Sequence, residues 1–561
     1  MHHSGPISGI AAFAGTYVAT AGYDNQVILW DAASKRPLSR SVHDHLANQV
    51  SFSPDGAYLL TSSSDYTARL WSLPDLKLVS VLSDHEDDVE MSVFHPTEPL
   101  IATASRDHRV RVYGFDGSLK AVFTGHTADV ISVEWSPDGK ELISSSDDGT
   151  VKRWSLATGT MVKDVDLGGV ETDTVALASS GTVYAGNDDG EIVVVEETGT
   201  TAHPAHDAGI KRLVYNAARE LIVSLSYDRK LRVWDVSGQD LREVASSSLP
   251  SDVWPRSCAF LDDTTLVFAT FGSSYATYDI AAEEWDLAGV EPTFGVNAVL
   301  RHQGSTLTIG DAGLLWRDGR EVARTGSLCN FLTAVGDRVL TGGQMGTVFD
   351  ALTGAPIHQH RSPLNCGAAF DRDGRRHVVV GTYTGEGLVF SLGDDGAFTL
   401  EATLPLHAGA VKGVAAAGGL IFSVSADAEA AWFSAGTFEE VARVPEAHDK
   451  IANGCAGTDT GEFVSISRDL RLRIWTGSTA QVVSTPHDHS IKSISTSADG
   501  RHIATGGYNG LVALYDRTTG EWPVVVRPTT AGISSLCFDE DGGRFLAGSY
   551  DGSVYPVEVP S

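Results

Sequence analysis

The chain has 561 residues, 42% hydrophobic and 20% charged, with 58 glycines and a formal net charge of −31. There is enough apolar material for a packed core and no long single-sign run, which excludes a disordered chain. The acidic balance argues against non-specific nucleic-acid binding and against anionic membranes, which both need basic patches. No apolar stretch approaches the roughly 18 to 20 residues of a spanning helix, and the start, MHHSGPISGIAAF, has no basic segment followed by a long apolar run. A cytoplasmic location with no signal peptide is therefore expected.

Taken in chain order, one frame recurs. It reads DNQVILW at 24–30, DYTARLW at 65–71 and DHRVRVY at 107–113. Its fullest copy is GHTADVISVEWSPDGKELISSSDDGTVKRWS at 125–155. ADVISVEW alternates as a strand does. SPDGK and DDGT are turns, ELISSS and VKRWS are the second and third strands, and TGTMVKDVDL supplies a fourth. DDGEIVVVE at 188–196 is a weaker copy, and DRKLRVW at 228–234 is a strong one. Weaker again are SSYATYD at 273–279, GDAGLLW at 310–316, MGTVFDALTG at 345–354, TGEGLVFS at 384–391 and SADAEAAWF at 425–433. DLRLRIW at 469–475, NGLVALY at 509–515 and GSYDGSVYPV at 548–557 close the series. The spacing is about 40 residues, which gives about fourteen units.

Each strong unit carries a His before its first strand, a hydroxyl, an Asp four residues after that hydroxyl, and an aromatic six residues later. Four sets are complete in the strongest frames: His43, Thr61, Asp65 and Trp71; His126, Ser144, Asp148 and Trp154; His206, Ser224, Asp228 and Trp234; His448, Ser465, Asp469 and Trp475. His3, Thr20, Asp24 and Trp30 fill the same places in the first frame. A catalytic Ser/Thr–His–Asp set occurs once, whereas this one recurs in register, so it reads as structural rather than nucleophilic.

The frame resembles the WD40-repeat family of β-propellers. The resemblance implies an all-β fold of four-stranded antiparallel blades, with the four residues forming a buried hydrogen-bonded line in each blade. Fourteen blades exceed the four to eight of one ring. Two tandem seven-bladed propellers are expected, 1–285 and 286–561, with a junction near 280–292. In repeat number alone this resembles actin-interacting protein 1-like proteins. The last unit leaves no room for a fourth strand, so its edge is a place for a covering partner.

Other chemistry is weak. The two HDH runs, His43–Asp44–His45 and His487–Asp488–His489, could hold Zn²⁺, but the first His of each belongs to the frame. DRDGR at 371–375 and DEDGGR at 539–544 lack the bidentate Glu of a calcium loop and fall where a turn belongs. There is no phosphate loop or strand–GxGxxG–helix unit. Cys258, Cys329, Cys366, Cys455 and Cys537 map to first strands and read as packing residues. No catalytic residue, metal or cofactor is expected.

The position before the turn Asp faces the top rim in the family pattern. It holds Tyr23, Arg106, Tyr227, Arg468, Tyr508 and Tyr550, with Ser64, Asp147 and Asp188 at other units. Tyr and Arg are enriched at interface hot spots. The loops after the repeat His are acidic, with Asp44, Asp87, Asp88, Asp129, Asp207, Asp449 and Asp488. A non-catalytic scaffold is expected, a monomer or part of a larger complex, binding proteins or peptides with basic contact surfaces and neither nucleic acid nor membrane. A channel enzyme or a small-molecule or metal sensor is the alternative, with Trp254, His302, His358, His360 and Arg361 as its candidates. The Arg-rich basic set hints at a bacterial genome, hence a third reading as a sensor subunit of a signalling or defence system.

Overall fold

A computed structural model describes residues 1–560 except 198, 239 and 459. Among the described residues the chain forms fourteen antiparallel sheets, thirteen of four strands and one of three, each ordered as a simple meander. They fall into two compact units, Met1–Thr293 and Phe294–Ser561. Each unit holds seven sheets. Among the described residues no helix is long and apolar enough to cross a membrane.

The blade built from Val130–Trp135, Glu141–Ser146, Thr150–Ser155 and Thr160–Asp166 shows how the frame folds. Its second strand is buried from Leu142 onward, and its fourth alternates exposed and half-buried. Burial therefore peaks in the second strand and falls toward the outer edge. Asp138 and Gly139 make the first turn, where Asp138 accepts from Ser136 Oγ at 2.8 Å and from Lys140 N at 3.1 Å. Gly149 sits at φ +72° in the second turn, and a Cβ there would lie 2.5 Å from the backbone of Gly169. Only glycine fits that approach. The Asp-Gly pair at 373–374 closes a two-residue hairpin with both φ positive, as a type I′ turn requires.

Both rings close without exchanging a strand. In the first unit, Ile10 N donates to Ser257 Oγ at 3.2 Å and Gly15 N to Leu261 O at 3.0 Å, joining blades 1 and 7. The segment after the outer strand Glu284–Asp286 returns to the same blade, where Ser273 N donates to Glu291 O at 2.8 Å. In the second unit, Val299 N donates to Ser535 Oγ at 3.2 Å and Arg301 Nε pairs with Asp539 at 2.9 Å. Its seventh blade has three strands, the last being Val554–Glu558. Pro556 in that strand has no N–H, which removes a donor from the row that would template another strand.

The four-residue line forms in four blades of the first unit. His126 Nδ1 donates to Asp148 at 2.8 Å, so its Nε2 accepts from Ser144 Oγ at 2.8 Å, and Trp154 Nε1 donates to the same hydroxyl at 2.8 Å. The sets of His43, His206 and His3 repeat this geometry, with every bond between 2.7 and 3.0 Å.

The fourth expected set departs from it. Ser465 still holds His448 at 3.0 Å and Trp475 at 2.8 Å, but His448 Nδ1 lies 3.9 Å from Asp469. Arg473 pairs with that carboxylate at 2.7 Å, and charge–charge pairing wins over the neutral imidazole. Arg111 captures Asp107 in the same way at 2.7 Å, and Asn509 replaces the Asp beside His487.

Ser144→Ala would leave two buried ring nitrogens unpaired, and we expect a loss of about 2–4 kcal/mol in denaturant unfolding. Burial, aided by Arg111 and Arg473 respectively, holds His85 down at about 4 and His448 at about 3, and burial holds His487 at about 4. The unfolded chain takes up these protons near pH 6.5, so unfolding is favoured as pH falls from about 6.5 toward 4. Urea midpoints across that range should fall, and less steeply for His85→Gln.

Candidate functional site: the two ring rims

A bulge opens the inner strand in six blades of the first unit and in all seven of the second. It leaves one residue outside the ladder and re-aims its side chain. Many of these residues tie adjacent blades. Asn48 Nδ2 donates to Val89 O at 3.0 Å, and Ser8 Oγ donates to Ala47 O at 2.5 Å. In the second unit, Asn330 donates to Leu364 O at 2.8 Å, Asn365 to Val411 O at 2.9 Å and Asn453 to Ile491 O at 2.6 Å. Asn297 reaches Cys329 O at 3.2 Å, and Ser534 closes the circle onto Val296 O.

Ile131 is the apolar bulge residue of blade 4, and where the residue is charged it sets the rim's charge. In the first unit it is Glu90 and Lys211. In blade 7 Pro255 widens the bulge, leaving Trp254 through Ser257 outside the ladder. The expected rim residues meet this set. Tyr23 packs edge-on against Trp254 at 5.2 Å, Trp254 stacks on Phe271 at 5.2 Å, and Arg256 lies 5.5 Å over the indole. Tyr227 carries Lys211 over its ring at 5.0 Å. Arg106 is clamped by Glu90 and Asp129, and Lys211 by Asp173 and Asp188. These cations serve the rim internally, so Arg106 is an anchor for carboxylates.

Acidic side chains crowd around Asp147 on this rim. Its Oδ1 is buried and has no hydrogen-bond partner. Burial first, then the charges of Glu171, Asp129 and Asp173, holds this carboxyl well above the usual range, against the pull of Arg106. Deeper in the strands, burial pushes Glu134 up to about 7, opposed by Arg212.

The second unit differs. Its bulge residues include Lys412 and Lys492, which line a cavity of about 370 Å³ with the asparagines. Lys412 lies 4.8 Å over the ring of Tyr383, and Tyr508 stacks on Tyr550 at 6.4 Å. Arg468 is half-buried in its blade-5 turn. The sequence pattern suggests two top faces alike in suiting basic partners, and the bulge residues do not stand out in it, although an Asn, Lys or Ser follows the first apolar residue of every inner strand in this unit.

The residues of the channel-enzyme alternative do not converge. Trp254 lies in the first unit, and the other four lie outside the second unit's cavity lining. His302 is buried at the end of an inner strand, and His358 packs on Phe390 at 5.5 Å from an outer strand. His360 and Arg361 both pair with Glu386, at 3.0 and 3.2 Å. Ser362 joins His360 at 3.2 Å but is 1% exposed, so this Ser–His–Glu line replaces a missing blade clasp and offers no accessible nucleophile. His407, Asp427 and Glu429 bring three ligand atoms within 4.8 Å of one another. His407 holds Ser423 at 2.9 Å and Glu429 pairs with Arg443 at 2.9 Å, so both are engaged in the blade itself.

A family model described as WD domain, G-beta repeat matches residues 1–31, 36–72, 76–114, 117–155, 198–235, 480–516 and 524–555. The chain belongs to the WD40-repeat family of β-propellers. It is 25% identical over 269 residues to the transcriptional corepressor LEUNIG_HOMOLOG of Arabidopsis thaliana, covering 40% of this chain and 34% of that protein. It is 27% identical over 260 residues to the nuclear distribution protein PAC1 of Arthroderma benhamiae, covering 39% and 56%. It is 29% identical over 257 residues to the guanine nucleotide-binding protein subunit beta of Zea mays, covering 40% and 67%. The chain thus spans between a third and just over half of the first two of these relatives. Such relatives support a protein-interaction role in general terms.

All five cysteines lie on inner strands. Burial raises the thiols of Cys258 and Cys366 to about 12 and that of Cys329 to about 11. Thiolate is the reactive form, so a thiol reagent at pH 8 should label these three only after denaturation.

Proposed function

We propose that this chain is a non-catalytic, cytoplasmic interaction scaffold whose first ring docks a polypeptide through a basic side chain. The observation that carries this is the buried, unpartnered Asp147 Oδ1, set among Asp129, Glu171 and Asp173. A Lys or Arg arriving there supplies the missing donor and neutralises the surplus charge. The neighbouring Tyr227 and the Tyr23–Trp254 pair give rigid contact area at low entropy cost. Net charge −31 favours encounter with a cationic partner and disfavours nucleic acid.

Pairing with a cation requires the ionised carboxyl, which burial and the acidic neighbours of Asp147 disfavour, so affinity should rise with pH. An array of otherwise matched basic, neutral and acidic peptides, read by fluorescence anisotropy, tests this. The basic peptides should be retained at least tenfold better, the preference should vanish in Asp147→Asn, and affinity should weaken as pH falls. Equal binding across charges, or an unchanged preference in the variant, would sink the reading.

A further inference from the structure

In the fourth blade of the second unit the clasp residues take an altered arrangement. His407 and Asp427 stand at the clasp places, and Glu429 joins them, with three ligand atoms within 4.8 Å of one another. The His407 side chain is fully buried, and its Nδ1 lies 3.3 Å from Asp427 without making a hydrogen bond. In the four intact sets that contact is a hydrogen bond of 2.8 to 3.0 Å.

Three changes within the frame set this blade apart. In the blades of His85 and His448, where Nδ1 also lacks a hydrogen bond, Arg111 and Arg473 hold the Asp carboxylate. Each stands four residues after its Asp, and in this blade that place is Ala431. Two residues after the Asp, the other six blades with a repeat His and Asp carry Gln26, Thr67, Arg109, Thr150, Lys230 and Arg471. Here the residue is an acid, Glu429. The aromatic six residues after the Asp is Phe433, which has no N–H to give to Ser423. The Ser423 hydroxyl can therefore accept from His407 Nε2, 2.9 Å away, and Nδ1 then presents a lone pair.

A lone pair and two carboxylates set together repel one another. The blade's own bonds leave an atom of each group over. Asp427 Oδ1 accepts from Glu429 N at 2.9 Å, while its Oδ2 meets only Gly409 N, at 3.4 Å. Glu429 uses Oε2 for Arg443 at 2.9 Å. Arg443 also pairs with Glu440 at 2.6 Å, so three carboxylates meet one guanidinium and two negative charges are left over.

We infer that His407 Nδ1, Asp427 and Glu429 form a binding site for a divalent transition-metal ion, zinc above all. One imidazole nitrogen with two carboxylates suits Zn²⁺, whereas Ca²⁺ and Mg²⁺ take oxygen ligands throughout. The Asp427 and Glu429 side chains are 16% and 28% exposed, which gives the ion a route in and water a place in its coordination. Bound there, the ion fastens the loop entering the blade to its second turn, as the His–Asp bond does elsewhere. The site shares no residue with the first ring's rim, so it stands or falls independently of the reading above.

Zn²⁺ itself is the probe, titrated calorimetrically into the full chain at neutral pH. One tight, saturable site is expected, weakened at least tenfold in Glu429→Gln and in Asp427→Asn. Asparagine is tolerated at the second place, since Asn509 occupies it beside His487. Zn²⁺ should also raise the melting temperature of the wild-type chain more than that of either variant. The chain has 19 histidines, so the location is checked separately. Crystals of the unaltered chain grown with Zn²⁺ should show anomalous density between His407 and Glu429. No saturable binding, an affinity unchanged in both variants, or anomalous density found only elsewhere would overturn the site.

Discussion

Inner strands converge on each ring axis, and there the backbone of one blade meets the backbone of the next. The bulge at the start of the inner strand resolves that crowding. One residue leaves the ladder, and the freed side chain spans to the neighbouring carbonyl, as Asn330, Asn365 and Asn453 do. The hydrogen bond satisfies a group that would otherwise be buried without a partner. The same geometry makes the position a rim position. Wherever the bond is dispensable, the residue there is free to set the chemistry of the opening, and Glu90, Lys211, Lys412 and Lys492 do so.

The His–hydroxyl–Asp–Trp lines hold the frame in which this happens. They fasten the loop entering a blade to its second and third strands, and they are strongest in the first unit. In the second unit the lines thin out, and other contacts replace them. Ser362 meets Thr384 at 3.2 Å where a His–Asp pair would sit, and His360 reaches Glu386 alongside. The blade survives because apolar packing between neighbouring sheets continues regardless. Val380, Leu388 and Phe390 pack with Leu364 in one buried cluster that joins two blades.

Much of this could be read from the sequence. The repeat length, the turns and the strong sets of His43, His126 and His206 follow from residue type at fixed spacing. The failure of the His448–Asp469 contact could not be read that way. Arg473 and Arg69 stand at the same offset from their Asp residues, yet Arg69 pairs with Asp65 at 2.9 Å while His43 keeps its bond at 2.8 Å. Side-chain direction decides, and spacing does not encode it. The bulge residues were hidden for a related reason. A bulge breaks the alternation that marks a strand, so Lys412 and Lys492 look like ordinary strand polars until the register is known. Arg106 looked like an exposed hot spot because its partners Glu90 and Asp129 are sixteen and twenty-three residues away.

The central claim is that the first ring's rim selects a basic side chain at Asp147, in the turn between the second and third strands of its fourth blade. A basic peptide is titrated into the wild-type chain and into Asp147→Asn at low and at high salt. The wild type should bind and lose affinity as salt rises, and the variant should bind weakly with little salt dependence. Equal affinity and equal salt dependence in the two proteins would contradict the claim.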